Sequence, residues 1–181
     1  MKIIIEGNMA SGKSTYSKAL AKLLKLPLIG MDAARREIFL HMDVKTKERE
    51  TLARNYLAGQ IKSMDAFVYE RIGTGQFDQE MDQHLDGAIR MLIRCKPLAC
   101  ILRFENRQAN NATRIPLPDW MDDPETYIRK THEKLDDKIR RDYYRIYTEN
   151  TTSKTVRGFK RELMDLAEMC RSFSKPVNTD K

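Results

Sequence analysis

No run of apolar residues in this 181-residue chain approaches the length of a membrane-spanning helix, and that absence excludes one. A secretory signal is also missing, because Met1-Lys2 leads directly into Ile3-Ile4-Ile5 and a glycine-bearing turn, and the expected location is therefore the cytoplasm. Cysteine is sparse. Cys95, Cys100 and Cys170 have no metal-ligand spacing, and an odd count without a signal peptide points to reduced thiols used as small core residues. The three histidines, His41, His84 and His132, show no paired metal spacing either, and no nucleophile turn marks a Ser/His/Asp hydrolase. Internal repeats, low-complexity tracts and linkers are absent, so residues 1–181 read as one domain. That length leaves no room for large mechanical or regulatory modules.

What the chain does contain is most informative at its start. The apolar run Ile3-Ile4-Ile5 flows through Glu6 into Gly7-Asn8-Met9-Ala10-Ser11-Gly12-Lys13-Ser14-Thr15, which has the spacing G-x-x-x-x-G-K-S. A strand before it and an amphipathic helix after it make this a phosphate-binding P-loop. Its glycines let successive backbone N–H groups curl around a nucleotide phosphate. Lys13 adds charge toward the β and γ oxygens, Ser14 can ligate Mg²⁺, and the helix dipole favours the anion. ATP and Mg²⁺ are the expected cofactors.

Beyond the P-loop, the spacing predicts strands alternating with helices, the pattern of a parallel sheet in an α/β protein. A second strand is expected at Pro27 to Ile29, helices around Ala33 to His41 and Ala53 to Met64, and a third strand at Ala66 to Tyr69. Met81, Leu85, Ala88, Leu92 and Cys95 suggest a further helix, Leu98 to Phe104 a fourth strand, and Lys154 to Val156 a weak fifth. The polar stretch from Glu105 to Asp123 reads as a long loop, and helices near Pro124 to Glu149 and Phe159 to Phe173 close the chain.

Ligands in open parallel sheets bind at the carboxyl ends of the strands, which directs attention to two places. Asp32, after the second strand, is positioned to accept a proton from an attacking hydroxyl, and Arg35, one turn further on, to hold an anionic acceptor; an N-cap aspartate with solvated arginines explains the same pattern. Glu70 and Arg71 follow the third strand. Glu70 is a second Mg²⁺ candidate and Arg71 a candidate for balancing charge on a transferred phosphoryl group, with a structural ion pair as the competing reading. Lys and Arg outnumber Asp and Glu by 33 to 26. The excess suits an anionic partner, although the basic residues between Arg129 and Arg145 alternate with acids as on a solvated helix face.

Three segments resemble the deoxynucleoside kinases: Ile5-Glu6-Gly7-Asn8 through Ser14-Thr15 their P-loop, Tyr69-Glu70-Arg71 their Glu-Arg-Ser motif, and Tyr127-Ile128-Arg129-Lys130-Thr131-His132-Glu133-Lys134 the helix that follows their lid. The wider family includes thymidylate kinase and deoxynucleoside monophosphate kinases. The resemblance implies a three-layer α/β/α P-loop kinase with a parallel five-stranded sheet and a lid at about 105–123. It also implies ATP-dependent transfer to a deoxynucleoside or its monophosphate, lid arginines among Arg103, Arg107 and Arg114, and often a homodimer. Asp32 stands where the family has a glutamate base, Ile72 replaces the motif serine, and Gln76 replaces an aspartate that reads the base. An amide donates and accepts, which leaves base preference open. The Asp32-x-x-Arg35 spacing also resembles 5′-polynucleotide kinases, so a nucleic-acid acceptor is the alternative, and a non-catalytic nucleotide-binding module is a third reading.

Overall fold

The computed structural model describes residues 1–41, 46–110, 121, 123–141 and 156–174. Ile3, Ile4 and Ile5 alternate between two apolar surroundings, as successive strand residues must, and each is essentially inaccessible to solvent. Their strand, β1 (Lys2–Gly7), is therefore buried on both faces and lies inside the sheet. Three more strands pair with it in parallel: β2 (Leu28–Gly30), β3 (Phe67–Arg71) and β4 (Ile89–Ile93), in the order β2-β3-β1-β4.

Parallel neighbours require crossovers, and helices supply them. On one face α1 (Lys13–Leu24) and α7 (Val156–Ser174) cover Ile3, Ile5, Val68, Met91 and Ile93 with Leu20, Leu163, Leu166 and Ala167. On the other, α2 (Met31–His41), α3 (Thr46–Ser63) and α4 (Gln76–Asp82) cover Ile4, Phe67 and Tyr69 with Ala34, Ala53, Leu57, Ile61 and Met81. Each fully buried isoleucine or leucine contributes about 1.5–3 kcal/mol of transfer free energy. A third, smaller core forms where α5 (Pro97–Ala109) and α6 (Pro124–Arg141) meet the P-loop, through Ala10, Cys100, Ile101, Phe104 and Ile128. Among the described residues no helix is long and apolar enough to cross a membrane.

Several expectations need correction. The segment expected to be helical through Cys95 divides into α4, a turn, and strand β4. Ile89, Met91, Leu92 and Ile93 are all buried, the mark of an interior strand, and the helical spacing of Leu92 and Cys95 is incidental. Conversely, Leu98 to Phe104 is helix. Pro97 occupies the first turn of α5, where its missing N–H costs nothing, while Leu98 and Leu102 are exposed and Cys100, Ile101 and Phe104 face inward. Two exposed leucines made an amphipathic helix resemble a continuous strand. The described sheet has four strands rather than five; of the fifth candidate, Val156 opens α7, and residues 154–155 lie outside the described residues. Of the expected lid, 105–109 are the last turns of α5, whereas 111–120 and 122 lie outside the described residues, as do 142–149 of the first expected closing helix.

α6 starts at a well-defined cap. Asp123 Oδ1 accepts the Thr126 N–H at 3.0 Å, and hydrogen bonding to the Thr126 side chain, then to that N–H, holds the carboxyl below the usual aspartate range. α7 is tied to α1 by Tyr16, whose hydroxyl donates to Glu162 Oε2 at 2.9 Å. Burial, then repulsion from Asp165, pushes Glu162 from 4.5 up to about 7. A carboxyl whose folded pKa lies above its unfolded value favours the protonated native state, so stability declines as pH rises between those two values. Glu162→Gln, which keeps an acceptor for Tyr16, is expected to raise the melting temperature at about pH 8 and to converge with the wild type near about pH 4, as thermal denaturation across that range will show.

Candidate active site

β1 delivers its last residues to the centre of the sheet's carboxyl edge, with Glu6 beside Arg71 of β3 and Gly7 beside Ile93 of β4. The chain then turns through the P-loop. Ala10 and Gly12 have positive φ of 55° and 98°, and Gly12 caps α1, a left-handed conformation that glycine adopts without the penalty a Cβ would bring. The Ser11 N–H donates to Asn8 O at 3.2 Å, and Lys13 Nζ reaches the same carbonyl at 3.3 Å. Asn8 holds the loop from two sides: Oδ1 accepts from Met9 N at 2.8 Å, and buried Nδ2 donates to Ile128 O of α6 at 2.7 Å. The loop is thereby fixed to a helix 120 residues further along the chain.

Ser14, in the first turn of α1, donates from Oγ to Glu70 Oε1 at 2.5 Å. A hydroxyl and a carboxylate meeting beside a P-loop are hard oxygen donors suited to Mg²⁺, which typically takes one or two protein ligands and fills its remaining positions with water and phosphate. No larger group of metal-ligating side chains occurs among the described residues, in keeping with that type of site.

Arg71 takes a different position from the one expected. Its guanidinium is buried, with Nε donating to Glu6 Oε1 at 2.8 Å, Nη1 to Asp78 O at 2.8 Å and Nη2 to Asp82 Oδ1 at 2.6 Å. Burial alone would lower its pKa, but Glu6, Asp78 and Asp82 outweigh that and hold it firmly charged. Lys138 of α6 joins through Glu6 Oε1 at 3.1 Å and Gly73 O at 3.0 Å, and Arg90 through Asp82 at 2.8 Å. Asp82 is held below the usual carboxylate range because Arg71 and Arg90 overcome the cost of its burial. Gly73, at φ 88°, lies so close that a Cβ would stand 2.6 Å from Glu6 Oε1. Its N–H donates to Asp78 Oδ2, while Asp78 Oδ1 accepts from the Tyr69 hydroxyl at 3.1 Å, and burial followed by Asp78 raises the Tyr69 pKa. In this arrangement the charge of Arg71 is spent on protein carboxylates.

The other described candidates sit on separate helices, α2, α4 and α5. Asp32 sits in the first turn of α2 with its side chain 80% exposed, and Arg35 donates to it at 3.1 Å while making a tighter two-pronged contact with Glu50 at 2.7 and 3.1 Å. Burial works against the Arg35 charge, and Glu50 and Asp32 more than restore it. Gln76 is exposed at the start of α4 and donates to Glu80. Arg103 and Arg107 are on α5 rather than in a loop, and Arg114 lies outside the described residues. Sequence reasoning missed the acids Glu6, Asp78 and Asp82 and the cations Arg90 and Lys138. Glu6 carried a signal: a carboxylate closing a strand of buried isoleucines requires partners.

Among the described residues the fold is thus a four-stranded parallel sheet between helical layers, with a P-loop after β1. Solved structures share it across nearly the whole chain. Shikimate kinase from Acinetobacter baumannii aligns over 97% of this chain and 95% of its own, with a TM-score of 0.61 at 19% identity. A gluconokinase from Sinorhizobium meliloti 1021 covers 96% and 97%, with a TM-score of 0.57 at 17% identity. Deoxyadenosine kinase from M. mycoides, bound to products, covers 96% and 100%, with a TM-score of 0.56 at 14% identity. At these identities the likeness is one of fold. No family model and no curated protein matches the sequence.

The ion network supplies a prediction of its own. Glu6→Ala strips a buried acceptor from both Arg71 and Lys138 and is expected to cost about 3–5 kcal/mol of stability by urea unfolding. A loss below about 1 kcal/mol would mean that the cluster behaves like a surface ion pair.

Proposed function

We propose that this protein is an ATP- and Mg²⁺-dependent kinase that transfers a phosphoryl group to a deoxynucleoside or a deoxynucleoside monophosphate. The observation that carries the reading is the Ser14–Glu70 contact at the mouth of the P-loop, where a helix N-terminus, Lys13 and a hydroxyl–carboxylate pair converge. The resemblance of Tyr69-Glu70-Arg71 and the α6 segment to deoxynucleoside kinases supports the choice of acceptor.

In this reading the P-loop amides and Lys13 hold the donor phosphates, and Ser14 with Glu70 holds the metal. When bound, Mg²⁺ neutralises phosphate charge and orients the oxygens. Asp32 takes the acceptor's proton when the acceptor is a hydroxyl, and Arg35 guides an anionic acceptor group. Gln76 meets the base, and Arg107 and Arg114 are the candidates for contacting the phosphates. Arg71 contributes by holding Glu6 and the Gly73 turn in place rather than by touching the phosphoryl group. Positioning and electrostatics carry most of the rate.

Transfer of labelled phosphate from ATP to deoxynucleosides, their monophosphates and 5′-hydroxyl DNA tests the assignment. Labelled small-molecule product is expected, and label on DNA alone, with steep salt dependence, would instead indicate a polynucleotide kinase. Lys13→Ala and Glu70→Gln are each expected to lower kcat/KM by about 10²–10³-fold. Asp32→Asn separates the acceptors, with a large loss of kcat for a hydroxyl and a mild one for a phosphate.

A further inference from the structure

Beside the P-loop lies a pair of thiols that the proposed chemistry does not use. Cys95 follows β4 and immediately precedes the N-terminus of α5, while Cys100 lies one turn into that helix. Both are free and buried, at 4% and 0% exposure. Cys100 Sγ is 3.9 Å from the Cys95 carbonyl oxygen, and the Arg103 guanidinium donates from Nη1 to Cys95 Sγ at 3.5 Å. The guanidinium and the N-terminus of α5 place positive charge beside the Cys95 sulfur. Hydrogen bonding to Cys95, then burial, pushes the Cys100 thiol far above the usual range.

The pair also touches the nucleotide loop. Cys95 and Cys100 pack in one apolar cluster with Ala10, the P-loop residue at φ 55°, and with Phe104 and Ile128, and Lys13 is near enough for its charge to act on Cys100. Ala10 keeps a left-handed conformation that neighbours must impose, so a change in this packing reaches the phosphate site directly.

We propose that Cys95 and Cys100 form a peroxide-sensitive disulfide pair whose closure weakens nucleotide binding at the adjacent P-loop. The Cys95 sulfur attacks a peroxide oxygen, the O–O bond breaks, and a sulfenic acid and hydroxide result, the proton given up by the Cys95 thiol turning that hydroxide into the first water. Cys100 sulfur then attacks the Cys95 sulfur; the S–S bond forms, and the hydroxyl leaves as water with the Cys100 proton. With hydrogen peroxide the sum is two thiols and one peroxide giving one disulfide and two waters, and a dithiol reductant reverses it. Drawing Cys100 toward Cys95 pulls on the first turn of α5, against which Ala10 is packed.

The regulatory half rests on the nucleotide-binding reading, and the test separates the two. The full chain is treated with hydrogen peroxide, its free thiols are alkylated, and its peptides are mapped by mass spectrometry with and without dithiothreitol; MgATP binding is measured by calorimetry on the same samples. A Cys95–Cys100 disulfide is expected, with affinity lowered about tenfold, in the middle of the range for coupled sites, and restored by dithiothreitol. Cys95→Ala and Cys100→Ala should each bind MgATP when reduced and lose the peroxide response, while Cys170→Ala, in the distant α1–α7 core, should keep it. Unreacted thiols, over-oxidised sulfur without a disulfide, or a disulfide that leaves MgATP affinity unchanged would each overturn the proposal. Reduced protein that binds no MgATP would instead remove the nucleotide reading, and with it the regulatory half, while the peptide map still decides whether the thiols pair.

Discussion

The arrangement of this protein depends on one buried carboxylate. Glu6 is 1% exposed at the end of the central strand, one residue before the P-loop, where an unpaired charge would be prohibitively costly. Its solution is to draw cations from two directions: Arg71 from the neighbouring strand and Lys138 from α6. Those two residues in turn hold the Gly73 turn, α4 through Asp78 and Asp82, and the α6 helix. The P-loop side and the α4 side of the sheet's carboxyl edge are thus built around a single charge. Buried ion networks of this kind are weak sources of net stability but expensive to break, which suits them to fixing one geometry among alternatives.

Around that charge the helices have unequal duties. α1 and α7 on one face, and α2 and α3 on the other, are held by apolar packing and set the shape of the sheet. α5 and α6 have only a small apolar core between them, and α6 is located chiefly by polar contacts: Asn8 to Ile128, Arg94 to Asp136 at 2.7 Å, and Lys138 to Glu6. Polar contacts are directional, so they place α6 accurately relative to the P-loop.

The P-loop, the parallel sheet and the alternation of layers were legible in the sequence, because Gly7 to Ser14 has a spacing with one physical meaning and the isoleucine run reads as buried strand. Glu70 and Arg71, expected just after the third strand, are instead the last two residues of β3. What misled was local apolar periodicity between Met81 and Phe104. Ile89 to Ile93 and Leu98 to Phe104 are both short apolar runs, and only Pro97 and the exposure of Leu98 and Leu102 tell helix from strand. The network was hidden for a different reason. Asp78, Asp82, Arg90 and Lys138 are scattered in sequence and meet Glu6 only through the fold, so no spacing rule could join them.

The bond from Asn8 to Ile128 ends on a main-chain carbonyl, and a carbonyl is the same whatever side chain its residue carries. The anchor between nucleotide loop and α6 is therefore blind to the identity of its far end. Exposed side chains of α6, as distinct from Ile128, Asp136 and Lys138, are free to drift in evolution without loosening the loop, provided the helix backbone stays in register. The same dependence sets the smallest autonomous unit. A fragment ending before residue 128 would keep every residue of the phosphate-binding motif and yet leave a buried amide with no acceptor at its centre. The motif that announces the protein in the first fifteen residues is complete only with a backbone atom from the last third of the chain.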